Sequence, residues 1–284
     1  MSSELTVPAP ATGLPGRIWR SAPIRIIVGT LVSGLPVTVS MGAIHALVDK
    51  PYRQVWPFLL AAMLCLGAYC WFTGAVEKRT AVELAHKGAL PEFAVGSLTG
   101  LALISLVTFT LWLTGSVHFT GAGTGTWYKP LAEMLLAATL EEVVFRAVLF
   151  RILAGWLGNR VALVISALLF GLAHQPNGGF SLLAFAGVAL AGFMLTAAFL
   201  RTGRLWLPLG LHFGWNFTCT AVFGYTTSGK EAQGLLQTSV TGPDWLSGGA
   251  FGVESSVVTL VAIALLSIAL FALPKIESKS VSHA

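Results

Sequence analysis

Eight times along the chain the sequence enters an apolar run of about 20 residues, the length a helix needs to cross the hydrocarbon core of a bilayer. The runs lie near 25–47, 54–76, 93–115, 130–156, 160–174, 180–200, 206–224 and 251–273. A backbone in such a place finds no water to bond, so it must close its hydrogen bonds within the segment, which a helix does. Composition points the same way: 55% of the 284 residues are apolar and only 10% are charged, and the mean hydropathy is +0.78. Soluble domains carry about 25% charged residues. The expected fold is an all-α polytopic membrane protein with about eight transmembrane helices. Residues 24–274 form its transmembrane domain, between a disordered N-terminal tail 1–23, rich in Ser, Pro, Ala and Gly, and a short C-terminal tail 275–284.

The net charge of +5 suggests nucleic acid only in a soluble protein. Here the basic residues sit between apolar runs, where they set orientation, and no nucleic-acid partner is implied. With the N-terminus cytoplasmic, twelve basic residues fall on the inner side (Arg17, Arg20, Arg25, Lys78, Arg79, Lys87, Arg151, Arg160, Arg201, Arg204, Lys275 and Lys279). Four fall outside (Lys50, Arg53, Lys129 and Lys230), so both termini are expected inside. The lean loops and short tails suggest a prokaryotic plasma membrane. The polar segment Glu77–Lys87 is expected as a short interfacial helix on the inner face. Cys65, Cys70 and Cys219 fall within apolar runs without metal-ligand spacing and read as small buried hydrophobes.

One apolar stretch is interrupted by charge. It runs from Pro130 to Phe150 and contains Glu141, Glu142 and Arg146. An ionisable group at mid-membrane costs at least about 2.5 kcal/mol, so such residues mark functional positions by default. On a helix Glu142 and Arg146 stand at i and i+4 and can pair, whereas Glu141 lies about 140° round from Arg146. A structural ion pair therefore accounts for Glu142 and Arg146 but leaves Glu141 without a role.

Two further clusters follow. Phe170-Gly-Leu-Ala-His174 places an imidazole at the end of the short fifth run, which stops at Gln-Pro-Asn-Gly-Gly. His212-Phe-Gly-Trp-Asn216 sets histidine and asparagine on one helix face. All are costly facing lipid, and a shared polar cavity satisfies them together. A glutamate beside a histidine can hold a water and take its proton. A second histidine and an amide can donate hydrogen bonds to the oxyanion formed when that water attacks an amide carbonyl. No Gly-x-Ser-x-Gly elbow is present, and Asp49 and Asp244, the only aspartates, lie in loops. Zinc held by Glu141, His174 and His212 is the alternative, although no His-Glu-x-x-His run supports it. A proton-coupled transporter also uses buried Glu, Arg and His, but the chain shows none of the internal repeats common in that class. A non-catalytic membrane scaffold or immunity factor keeps the fold and binds a partner.

At these residues the sequence resembles the CAAX-protease and bacteriocin-processing family (CPBP, or Abi) of intramembrane proteases, which includes the Ras-converting type of prenyl-protein endopeptidase. Its motifs Glu-Glu-x-x-x-Arg, Phe-x-x-x-His and His-x-x-x-Asn/Asp stand here as Glu141-Glu142-Val-Val-Phe-Arg146, Phe170-Gly-Leu-Ala-His174 and His212-Phe-Gly-Trp-Asn216. They occur in the family's order within a core at 130–224. The resemblance implies an eight-helix fold with a central catalytic cavity, and a glutamate-type endopeptidase without a cofactor. In it Glu141 and His174 activate water, His212 and Asn216 form the oxyanion hole, and Glu142 and Arg146 orient the helix. It also implies a lipidated or membrane-embedded peptide as substrate, reached from within the bilayer.

Overall fold

The computed structural model describes residues 21–273, so the two expected tails lie almost wholly outside the described residues. Helix α1 is Ala22–Leu47, α2 is Trp56–Trp71 with a π-helical extension Phe72–Val76, and α3 is Ala89–Leu113. Helix α4, Tyr128–Glu142, runs on through π-helical turns at Val143–Phe150 into α5, Arg151–Leu157. Then come α6 (Asn159–Ala173), α7 (Leu182–Thr202), α8 (Trp206–Phe217, extended by Thr218–Phe223), a single turn α9 (Asp244–Ser247) and α10 (Val257–Ala272). Among the described residues, four segments are long and apolar enough to cross a membrane: Ala22–Leu47, Trp56–Val76, Ala89–Leu113 and Leu182–Thr202. The others among the eight expected crossings are shorter, or carry the polar motifs and are broken into α and π pieces. Helix α6, at about 1.5 Å per residue, spans about 22 Å against a hydrocarbon core of about 30 Å.

The polypeptide is not purely helical. Strand β1 (Val117–Ala122) pairs antiparallel with β2 (Leu236–Val240), Val117 opposite Val240, with an irregularity between Phe119 and Gly121. The two strands lie more than a hundred residues apart, and neither is long enough for its alternation to stand out in the sequence. The last apolar run also begins late. Residues 249–255 form two short 3₁₀ turns, and α10 starts only after Ser256, whose hydroxyl caps it by accepting from Thr259 N at 3.1 Å.

The segment 77–87 corrects the expected interfacial helix. Its one regular piece is a 3₁₀ turn at Val82–Leu84, because its carboxylates are drawn inward. The side chains of Glu77 and Glu83 are each 2% exposed. Glu77 takes hydrogen bonds from Arg25, from Arg79 Nε at 2.7 Å and from Arg151 Nη2 at 2.7 Å. Arg79 also bonds Glu83, at 2.7 and 2.9 Å, and Tyr69 donates to the same carboxylate. Burial pushes the Glu77 carboxyl up, but bonds from Arg25 and Arg151 outweigh it and hold the group below its ordinary value. Burial dominates at Glu83 and raises it. This network ties α1, α2 and α5 together at one end of the bundle.

Helices α3 and α8 meet backbone to backbone. A Cβ on Gly96 would lie 2.3 Å from Leu207 O, and one on Gly100 2.3 Å from Leu211 O. In return, a Cβ on Gly210 would lie 2.2 Å from Phe93 O, and one on Gly214 2.1 Å from Ser97 O. Two Gly-x-x-x-Gly faces thus interlock, which suits a setting where packing rather than hydrophobic burial drives association. Helix α8 is thereby fixed in depth and rotation. Gly214→Leu should cost about 1–3 kcal/mol through overpacking and displace the residues beyond it. Thermal melting in detergent checks this against Gly67→Leu, at a position where an added Cβ meets nothing within 4 Å. Equal melting temperatures for the two variants refute the interlock.

Candidate active site

The three motifs arrive on α4, α6 and α8. On α4 the i, i+4 spacing does what the sequence suggests: Arg146 Nη1 donates to Glu142 Oε1 at 3.0 Å, and both side chains are fully buried. Arg146 Nη2 reaches the carbonyl of Gly192 on α7 at 3.1 Å. Its guanidinium lies 4.5 Å above the Phe170 ring. That ring also stands 4.9 Å from the imidazole of His174 and 6.2 Å, edge-on, from that of His212. The aromatic of the second motif is therefore a spacer packed against the guanidinium and both imidazoles. A Cβ on Gly192 would lie 3.0 Å from the Phe170 side chain, so glycine there lets α7 close on it.

Each histidine has its Nδ1 engaged. His174 Nδ1 lies 2.9 Å from the Phe170 carbonyl, which can only accept, so the proton is on Nδ1 and Nε2 carries a lone pair when the ring is neutral. His212 Nδ1 lies 2.9 Å from Glu142 Oε1. Both Nε2 atoms turn to the same oxygen: Glu141 Oε2 is 3.9 Å from His174 Nε2 and 3.7 Å from His212 Nε2. These distances exceed a direct hydrogen bond and suit one intervening water. Glu141 Oε2 is buried and makes no hydrogen bond within the described residues.

Glu141, His174, His212 and Asn216 line one cavity of about 220 Å³, with Glu133, Lys230 and Glu231 at its polar wall. His174, His212 and Asn216, with Ser228, also line a second, largely apolar chamber of about 50 Å³ behind it, walled by Val188, Met194, Leu211 and Ile263. All four candidate catalytic residues are thus brought together, while Glu142 and Arg146 lie outside both chambers. Among the described residues no group of three or more His, Cys, Asp or Glu side chains is arranged to hold a metal ion.

Some of the site had no local signature. The bond from His212 to Glu142 joins residues 70 apart, so the i, i+4 reading assigned Glu142 to Arg146 alone. Ser228 and Glu254 enter from loops with no motif. Gly96-x-x-x-Gly100 and Gly210-x-x-x-Gly214 are visible in the sequence and would have predicted the α3–α8 contact.

Residues 123–218 match the family described as Rce1-like, type II CAAX prenyl endopeptidase Rce1-like. The match contains all three motifs, and it bears out the resemblance drawn from them. No curated protein and no solved structure matches the chain.

Proposed function

We propose that the protein is an intramembrane endopeptidase that hydrolyses a peptide bond in a lipidated or membrane-embedded substrate with a water activated by Glu141 and His174. The observation that carries this reading is the buried, unbonded Glu141 Oε2 facing two imidazole nitrogens at one-water distance.

A water held there gives one hydrogen to Glu141 and the other to the His174 Nε2 lone pair, which leaves its oxygen lone pair free to attack. As the C–O bond forms, the proton passes to Glu141 and the carbonyl oxygen becomes an oxyanion. Asn216, one helical turn beyond His212, offers it an amide N–H. His212 already presents Nδ1–H to Glu142, so to donate from Nε2 as well it acts as the imidazolium, with the Glu142 carboxylate balancing its charge. Collapse of the intermediate breaks the C–N bond, and the proton on Glu141 goes to the departing amine. Buried donors fixed before the reaction are worth most where water is scarce. A substrate already in the bilayer reaches such a site without carrying apolar surface through water.

No step here passes through a metal. Protein purified and assayed in chelator should keep its turnover of a prenylated or acylated peptide bearing a free C-terminus. Loss of turnover that stoichiometric zinc restores would replace this mechanism with Lewis-acid hydrolysis at Glu141, His174 and His212.

A further inference from the structure

Glu254 lies outside the three motifs and outside the matched region 123–218, yet its carboxylate lines the apolar chamber beside His174, His212 and Asn216. Its oxygens are fully engaged. Oε1 accepts from Trp215 Nε1 at 2.8 Å, and Oε2 accepts from Ser228 Oγ at 3.0 Å and from Ser228 N. Trp215 immediately precedes Asn216 on α8. Ser228 sits at φ +47° in a tight turn, Thr227–Lys230, closed by Thr227 N to Lys230 O at 2.9 Å and Lys230 N to Thr227 O at 3.0 Å.

Both neighbours of this turn are built for close approach. Gly229, at φ +76°, presses on the loop after His174, where a Cβ would lie 2.0 Å from Gly178 O. Its N–H bonds Phe251 O at 2.9 Å. Gly252, at φ +107°, lets the segment carrying Glu254 pass Thr226, whose carbonyl oxygen a Cβ would meet at 2.0 Å. The turn is therefore wedged between the loop that follows His174 and the segment that precedes α10. A carboxylate among apolar side chains is costly unless its lone pairs are used, and three donors from two elements of the site use them.

We propose that Glu254 is a positioning residue. It clamps Trp215 to Ser228, and so holds the neighbouring Asn216 amide at the wall shared by the two chambers. The proposal rests on the reading of Asn216 as an oxyanion donor. Glu254→Gln keeps the size but turns an NH₂ group towards Trp215 or Ser228, so a donor meets a donor and one side of the clamp opens. A small misplacement of a catalytic group is costly in rate.

The test measures kcat and KM of purified protein on a lipidated peptide for Glu254→Gln, Trp215→Phe, Asn216→Ala and the double variant Glu254→Gln/Asn216→Ala. Glu254→Gln should lower kcat by about 10- to 100-fold with KM changed less than about threefold. Trp215→Phe removes only the Nε1 donor and should reproduce part of that loss; it carries the test if Glu254→Gln does not fold. On the Asn216→Ala background the Glu254 change should add less than about twofold, because the group it positions is gone. Full multiplication of the two losses, or a loss confined to KM, overturns the clamp while leaving the hydrolase reading intact. Asn216→Ala without loss of kcat overturns both the donor assignment and the clamp, whereas an active Glu141→Gln variant strikes the hydrolase reading itself.

Discussion

Glu141→Gln should leave a folded protein whose peptide hydrolysis is reduced by about 10²–10⁴, the range that general base catalysis supplies. Glutamine keeps the volume and one acceptor oxygen but cannot take a proton from water. Folding should survive, because Glu141 makes no hydrogen bond through Oε2, its side chain is 28% exposed, and Arg146 is paired with Glu142 instead. The measurement is turnover of a lipidated peptide alongside the melting temperature, both on detergent-purified protein. Retained turnover removes Glu141 from the mechanism. An unstable Glu141→Gln beside a stable, inactive Glu142→Gln would mean that the two adjacent carboxylates have exchanged roles.

That contrast between neighbours was readable from spacing alone. On a helix, i and i+4 share a face, so Glu142 and Arg146 can pair, while Glu141, about 140° round, cannot easily share that partner. The π-helical turns after Glu142 do not disturb this, since the Glu142–Arg146 bond forms at 3.0 Å across them. The end of α6 at His174 was equally legible, because Pro176 and the glycines after it cannot continue a helix. Those signals are local. What escaped is non-local: the β1–β2 pairing between residues 117–122 and 236–240, the inward collapse of Glu77 and Glu83 onto Arg25 of α1, Arg151 of α5 and Arg79 of their own segment, and the clamp at Glu254. In each case the residue type was visible but its partner lay far along the chain. Arg25, Arg79 and Arg151 meet through Glu77, although they lie far apart along the chain and Arg79 sits on a segment without an α-helix of its own, so no local pattern announces them.

The site also shows how its parts depend on one another. Phe170 spaces Arg146 from both histidines, and Glu142 Oε1 receives Arg146 and His212 together. Helix α8 owes its rotation to the Gly210 and Gly214 face against α3, and this rotation aims His212 at Glu142. Fully satisfied buried networks specify one arrangement, and partly satisfied ones are expensive. Glu142 Oε2 and Arg146 Nε are buried without partners, so the network has little to fall back on when a member is lost.

Glu142→Gln should therefore fail in two separable ways. Removing one partner from a buried ion pair leaves an uncompensated charge and costs about 3–5 kcal/mol, so the first effect is low yield and a large drop in melting temperature. The second is chemical: His212 loses the carboxylate that holds its Nδ1 proton and balances the imidazolium, so even the folded fraction should turn over slowly. A compensating change tells these apart. Glu142→Gln/Arg146→Met removes the stranded charge and replaces the guanidinium with an apolar side chain of similar reach, so stability should largely return, as when buried pairs give way to apolar residues. Turnover should not return with it, because His212 still faces a neutral amide. If the double variant recovers both stability and activity, the 2.9 Å contact between Glu142 and His212 has no part in the chemistry. If Glu142→Gln alone melts like the unmodified protein, the buried pair is not what holds α4 in place.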